Sequence, residues 1–261
     1  TRASKEFWGW TSAWAYLNPS IFGASFAAIY VSTYLGRIIP AFADYTIPLA
    51  IIACIICGVL NIFKISIVGK VNLVLVAFMS LVLVIYSLYG FTAFTPENFT
   101  PFFTQGDSGA VGFIEAMPNA MLAYGAIVSL VAISSDIKNP KRTIPKAMII
   151  SVVLTAILYV LAVIATIGMI PTADFITNHG NQYYPMYAAI DKAVPQAHWL
   201  AILISLAALL ALFTTMLVLI MSAGRTLAAA AQTGFLPAFL AKVNPKTNTP
   251  VAAIIVSTIV I

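Results

Sequence analysis

Charge is what this sequence has least of. Only 8% of its 261 residues are Asp, Glu, Lys or Arg, while 61% are hydrophobic; an ordinary soluble domain carries about 25% charged residues. A soluble chain of this length cannot hide so much apolar surface, because surface area falls too slowly with size. Cysteine is nearly absent as well. Cys54 and Cys57 share one apolar run with no cation beside them to favour a thiolate, so they read as small packing residues rather than a redox pair. The two histidines, His179 and His198, are isolated, and no acid or cysteine clusters with them at ligand spacing, so no metal site is expected. The net charge of +5 forms no block that would face solvent, which argues against a nucleic-acid partner. An initiator Met is missing too: the chain opens at Thr1-Arg2-Ala3 without a signal-peptide layout. It closes in an apolar run, 251–261, shorter than the roughly 20 residues that span a bilayer. It reads as one transmembrane domain cut from a longer protein.

What is present is a series of apolar runs. Seven can be marked, at about 7–35, 47–63, 71–94, 111–134, 147–170, 199–223 and 251–261. Each is expected to be a helix, since a lone strand leaves its backbone polar groups unsatisfied in lipid. The fold class is therefore an all-α integral membrane protein, with the lipid bilayer as its solvent. If successive loops alternate sides, one side holds Arg2, Lys5, Lys64, Lys70, Lys138, Lys141, Arg142, Lys146, Arg225, Lys242 and Lys246, and the other only Arg37 and Lys192. Eleven basic residues against two mark the first side as cytoplasmic. A multi-pass protein of the cell membrane follows, with cytoplasmic loops near 64–70, 135–146 and 224–249. The long outer stretch 171–198 is expected to fold over the outer face. Asn98-Phe99-Thr100 is a formal glycosylation sequon, a triplet common by chance.

Ionisable residues are missing from the middle of every run, and Glu115 lies near an outer end. Mid-membrane charges mark proton relays and voltage sensors, so a site here would be built from backbone groups, hydroxyls and rings. The fourth run is the irregular one: Pro118-Asn119-Ala120-Met121-Leu122-Ala123-Tyr124-Gly125-Ala126. Pro118 removes a backbone donor and Gly125 weakens helix propensity. Two outcomes fit that pattern. One is a continuous helix with a proline kink; the other is a helix broken at mid-membrane, whose free backbone groups face a polar ligand.

Two further motifs bear on that choice. The loop after the fourth run reads Ser134-Ser135-Asp136-Ile137-Lys138-Asn139-Pro140-Lys141-Arg142-Thr143-Ile144-Pro145-Lys146-Ala147. After the sixth run come Arg225, small residues through Ala231, Gly234, Leu236-Pro237, Val243-Asn244-Pro245 and Thr249-Pro250. Both strongly resemble the amino acid–polyamine–organocation (APC) family of transporters, over essentially the whole chain, from that family's third helix to the start of its ninth. Asp136, Lys138, Asn139, Pro140, Arg142, Pro145, Arg225, Gly234 and Pro237 carry the likeness. Physically, Pro145 and Pro250 suit the first turn of a helix, and the basic clusters suit cytoplasmic headgroups.

The resemblance implies a partial inverted-repeat (5+5) transporter fold with a broken sixth helix. It implies amino acid transport by alternating access, through H+ symport or exchange, with no cofactor and no enzymatic activity. It places Leu122, Ala123, Tyr124, Gly125 and Ala126 on the unwound, substrate-facing stretch, with Tyr124 as a lid, and Thr214 and Thr215 at a cation site for Na+ or H+. Three positions depart from the family: Val128 replaces a glutamate, Met79 a fifth-helix lysine and Thr233 an acid. A channel or a membrane-embedded enzyme is the alternative class. The first needs a ring of charges or carbonyls and the second a nucleophile–base or metal cluster. Neither pattern is in the sequence.

Overall fold

The computed structural model describes residues 2–63, 65–100, 109–122, 124, 137–171, 174–175 and 184–261. Among them the chain is helical without strands. The helices are α1 (Arg2–Ile38), α2 (Thr46–Ile62), α3 (Ile65–Gly90), α4 (Gly109–Leu122), α5 (Pro140–Met169), α6 (Pro185–Ala193), α7 (His198–Gln232) and α8 (Val251–Val260). Short 3-10 turns link several of them, and an isolated bridge joins Asn244 to Thr249. Four helical stretches among the described residues are long and apolar enough to cross a membrane: Pro40–Ile62, Asn72–Ala93, Pro140–Met169 and Pro195–Gln232. α1, at 37 residues, is longer than three of these but less apolar, and Pro19 sits inside it without ending it.

Several helices outrun the apolar runs that announce them. Residues 65–70 and 140–146, expected in cytoplasmic loops, are helical, as are 224–232. An apolar run marks only the part of a helix that meets lipid, whereas hydrogen bonding carries the helix on through its basic ends. Pro145 is displaced by the same effect. α5 begins at Pro140, so Pro145 lies inside the helix rather than in its first turn. Pro140 takes the opening position, where a missing N–H costs nothing, and Asn139 enters it with a φ of 52°.

The chain forms two compact units; α3 passes from one to the other after Val76 and α7 after Ala208. The core of the first is made of small side chains. Ala24, Ala27 and Ala28 of α1 and Ala50, Ala53, Cys54 and Cys57 of α2 pack with Met216, Leu217 and Ile220 of α7 and Ile254 of α8. Small residues let helix backbones approach closely where lipid gives no hydrophobic drive. Gly224 shows how close: a Cβ there would stand 2.8 Å from Ile254 Cγ1 and 3.2 Å from its Cα. Both cysteines are free and buried. Asn61 ties α2 to α7, its Nδ2 donating to Cys57 O (2.9 Å) and Leu217 O (3.1 Å).

The second unit centres on Val82 and Tyr86 of α3, Ala162, Ala165 and Met169 of α5, Ala189 and Ile190 of α6, and Leu200, Ala201 and Ile204 of α7. Thr166 Oγ1 donates to Ala162 O at 2.6 Å, so the 2.6 Å bond between Tyr86 and Thr166 has the tyrosine as donor. Gly168 O accepts both Thr95 N (2.9 Å) and Asn98 Nδ2 (2.8 Å), which staples the 91–100 segment to the end of α5. The stretch 171–198 holds α6, an element the apolar runs did not announce. Its Ala188, Ala189 and Ile190 are buried, while Lys192 pairs with Asp174 and His198 Nδ1 lies 3.0 Å from Asp191 Oδ1. His198 is thus not isolated; His179 lies outside the described residues.

Candidate substrate site

Of the fourth apolar run, the described residues form the helix α4, Gly109–Leu122. Pro118 inside it leaves the carbonyl four residues earlier without its usual donor. Its residues 111–118 are exposed. The helix reaches Leu122, and Tyr124 lies in a turn. Tyr124 is half-buried, and its ring centroid lies 6.2 Å from that of Tyr159 on α5, with the planes at 58°. That is the separation at which aromatic pairs attract, in a tilted rather than stacked arrangement. Ala123, Gly125, Ala126, Val128 and Asp136 lie outside the described residues, as does the side chain of Leu122.

Thr214 and Thr215 sit side by side on α7. Thr214 is buried, and both hydroxyls donate to Ala211 O, at 2.8 and 2.9 Å. Each oxygen keeps lone pairs, so the pair can accept a hydrogen bond or ligate a cation but has no hydrogen to spare for an anion. Met79 packs against the second unit's core, and the Thr233 hydroxyl bonds back to Ala230 O (2.9 Å). Among the described residues no group of His, Cys, Asp and Glu could hold a metal ion.

The two motif regions fold differently. Lys138, Asn139 and Pro140 are exposed and lead straight into α5, whose first turn carries the exposed Arg142. The second motif closes α7 with a Schellman motif. Gly234 takes a φ of 86°, its N–H reaches Ala231 O (3.1 Å), and the next N–H, of Phe235, reaches Ala230 O (3.0 Å). Pro237 then precedes a 3-10 turn, Ala238–Ala241. Asn244 Oδ1 accepts from Lys246 N at 2.9 Å, and Thr249 Oγ1 donates to Ile62 O at 3.2 Å, satisfying a carbonyl at the end of α2. Arg225 lines a cavity of about 370 Å³ in the first unit, between the first half of α1 and the last turns of α7, with Ser12, Tyr16, Thr226, Thr233 and Phe235. The hydroxyls of Ser12, Thr226 and Thr233 are spent on their own helices.

Sequence reasoning missed Tyr159. Its helix was marked, but nothing local to an apolar run says which of its rings will meet Tyr124 across the fold.

These features define a polytopic helical membrane protein, and comparison with known proteins gives its class. The amino acid permease family matches residues 1–261. The chain therefore belongs to that family, within the APC superfamily of transporters, and is a multi-pass membrane protein. It is 30% identical over 158 residues to the branched-chain amino acid permease BcaP of Bacillus subtilis, covering 60% of this chain and 32% of that one. It is 22% identical over 264 residues to BcaP of Lactococcus lactis, covering 92% and 55%. Against the aspartate-proton symporter of Bacillus subtilis it is 26% identical over 204 residues, covering 75% and 38%. The chain thus spans about half or less of the length of these relatives.

Proposed function

We propose that the protein is a secondary transporter that moves an amino acid across the cell membrane by alternating access, coupled to H+ symport or to exchange. The family match over the whole chain is the observation that carries this reading. Relatives named for branched-chain amino acids and for aspartate with a proton share only the amino acid class, so that class is what passes to this chain. The substrate sits where α4 gives way, at 122–126, with the Tyr124 ring as its lid. Support comes from Pro118 inside α4 and from the turn at Tyr124. Unwound backbone there supplies free amides and carbonyls for a zwitterion's charged ends, and the ring supplies an apolar wall. Thr214 and Thr215 are the candidate cation site, for Na+ or for a proton in transit. The fold is the partial 5+5 inverted repeat, with the basic residues of 138–146 and 225–246 on the cytoplasmic side.

The test is uptake by the full-length transporter in proteoliposomes, each of the twenty radiolabelled amino acids being offered singly. Tyr124→Ala should raise KM for the best of them about 30-fold, the equivalent of roughly 2 kcal/mol for a buried aromatic anchor. Uptake of none of the twenty would remove the transport reading. Unchanged KM in a well-expressed Tyr124→Ala would remove the lid.

A further inference from the structure

We infer that Tyr159 is a positioning residue for substrate binding: it sets the orientation of the Tyr124 ring. The inference rests on the reading of Tyr124 as the substrate's lid and assigns that lid its support. Tyr124 lies in a turn, outside the regular helical geometry that fixes the direction of a side chain. Tyr159 lies inside α5, a continuous helix of 30 residues. Seven residues further on is Thr166, two turns along and on the same face. Thr166 is bonded to the fully buried Tyr86 of α3. From Ala162 onward α5 is sunk in the core through Ala162, Ala165, Thr166, Gly168 and Met169. Tyr159, 40% exposed, is just short of that anchored stretch. Its ring is therefore carried by a fixed helix and reaches the ring at the turn, 6.2 Å away between centroids. A tilted ring pair restricts rotation of the less constrained partner. Here the less constrained partner is Tyr124, and a lid that is already oriented costs less to close on a substrate.

The hydroxyl of Tyr159 has no part in this, whereas its ring does, and the two separate cleanly by substitution. In the proteoliposome assay, with the best-transported radiolabelled amino acid as probe, Tyr159→Phe should keep the parent KM. Tyr159→Leu should raise KM about five-fold, with Vmax within two-fold of the parent, close to 1 kcal/mol at about 1.4 kcal/mol per ten-fold. In a Tyr124→Ala background, Tyr159→Leu should add nothing further. If Tyr124→Ala raises KM but Tyr159→Leu does not, or if the two effects simply multiply, the positioning role is overturned and the lid stands. If Tyr159→Phe raises KM as much as Tyr159→Leu, the hydroxyl rather than the ring is at work and the inference is again overturned. If Tyr124→Ala itself leaves KM unchanged, the lid fails first. Should Tyr159→Leu not reach the membrane, Tyr159→Met decides by the same criteria.

Discussion

α4 and α7 begin as the same kind of object, apolar runs of bilayer length, and end as opposites. α7 is unbroken for 35 residues with no proline. Its Ser205, Thr214, Thr215 and Thr226 hydroxyls are satisfied by carbonyls one turn back, and a glycine with positive φ closes it. The described part of α4, Gly109–Leu122, carries Pro118 and is exposed along 111–118. Hydropathy does not separate the two. What separates them is where backbone donors are missing and how much packing stands in for them. A helix held by neighbours along most of its length can act as a strut, and a helix held at few points is the one proposed to give way to a ligand.

The contrast predicts unequal responses to substitution, measured as thermal unfolding of the full-length protein in detergent. Gly224→Val on α7 should do the most damage. A Cβ there meets not only Ile254 Cγ1 but the Ile254 Cα and N, at 3.2 and 3.3 Å, and backbone of α8 cannot swing aside as a side-chain tip can. Overpacking of that kind costs about 3 kcal/mol. A variant as stable as the parent would mean that the close α7–α8 approach is not what holds the strut. Gly234→Ala should cost less. Nothing lies within 4 Å of a Cβ at that position, so the penalty is only that of placing an L-residue at a φ of 86°, about 1 kcal/mol. Gly234→Asn, which tolerates that conformation better, should recover part of it.

Much of this was legible because lipid imposes a simple rule. Each of the seven apolar runs overlaps a helix in the described residues, since in hydrocarbon an unpaired backbone leaves few alternatives. The ends were less legible. Lys70, Lys141, Lys146 and Arg225 lie on helices that continue past the apolar stretch, and hydropathy stops where lipid stops while hydrogen bonds do not. α6 was illegible as a helix because it is short, its three buried residues, Ala188, Ala189 and Ile190, being followed directly by the charged Asp191 and Lys192. At the site, Pro118 and the motif after it pointed to Tyr124. Tyr159 and the Tyr86–Thr166 bond gave no such sign. Each joins residues 35 or more positions apart, and no periodicity within one run encodes its partner in another.

The smallest stability effect should come from Pro118→Ala, and it is the most informative about the comparison. Alanine restores the N–H that proline lacks and removes the ring's clash with the preceding turn, so α4 itself should gain. Membrane helices already compensate for part of the proline penalty, which keeps the expected gain to about 0.5 kcal/mol. Pro118 is exposed, so in this structure no packing is lost to offset that gain. Uptake should nevertheless fall several-fold, because a helix made more regular at 118 resists giving way at Leu122, where the substrate is proposed to bind. Stability and transport would then move in opposite directions at one residue, which does not happen when a substitution merely damages the fold. A loss of stability comparable to that of Gly224→Val would show α4 to be as dependent on packing as α7 and would end the contrast. A stabilised variant with unchanged uptake would locate the cause of the interruption downstream, at Gly125.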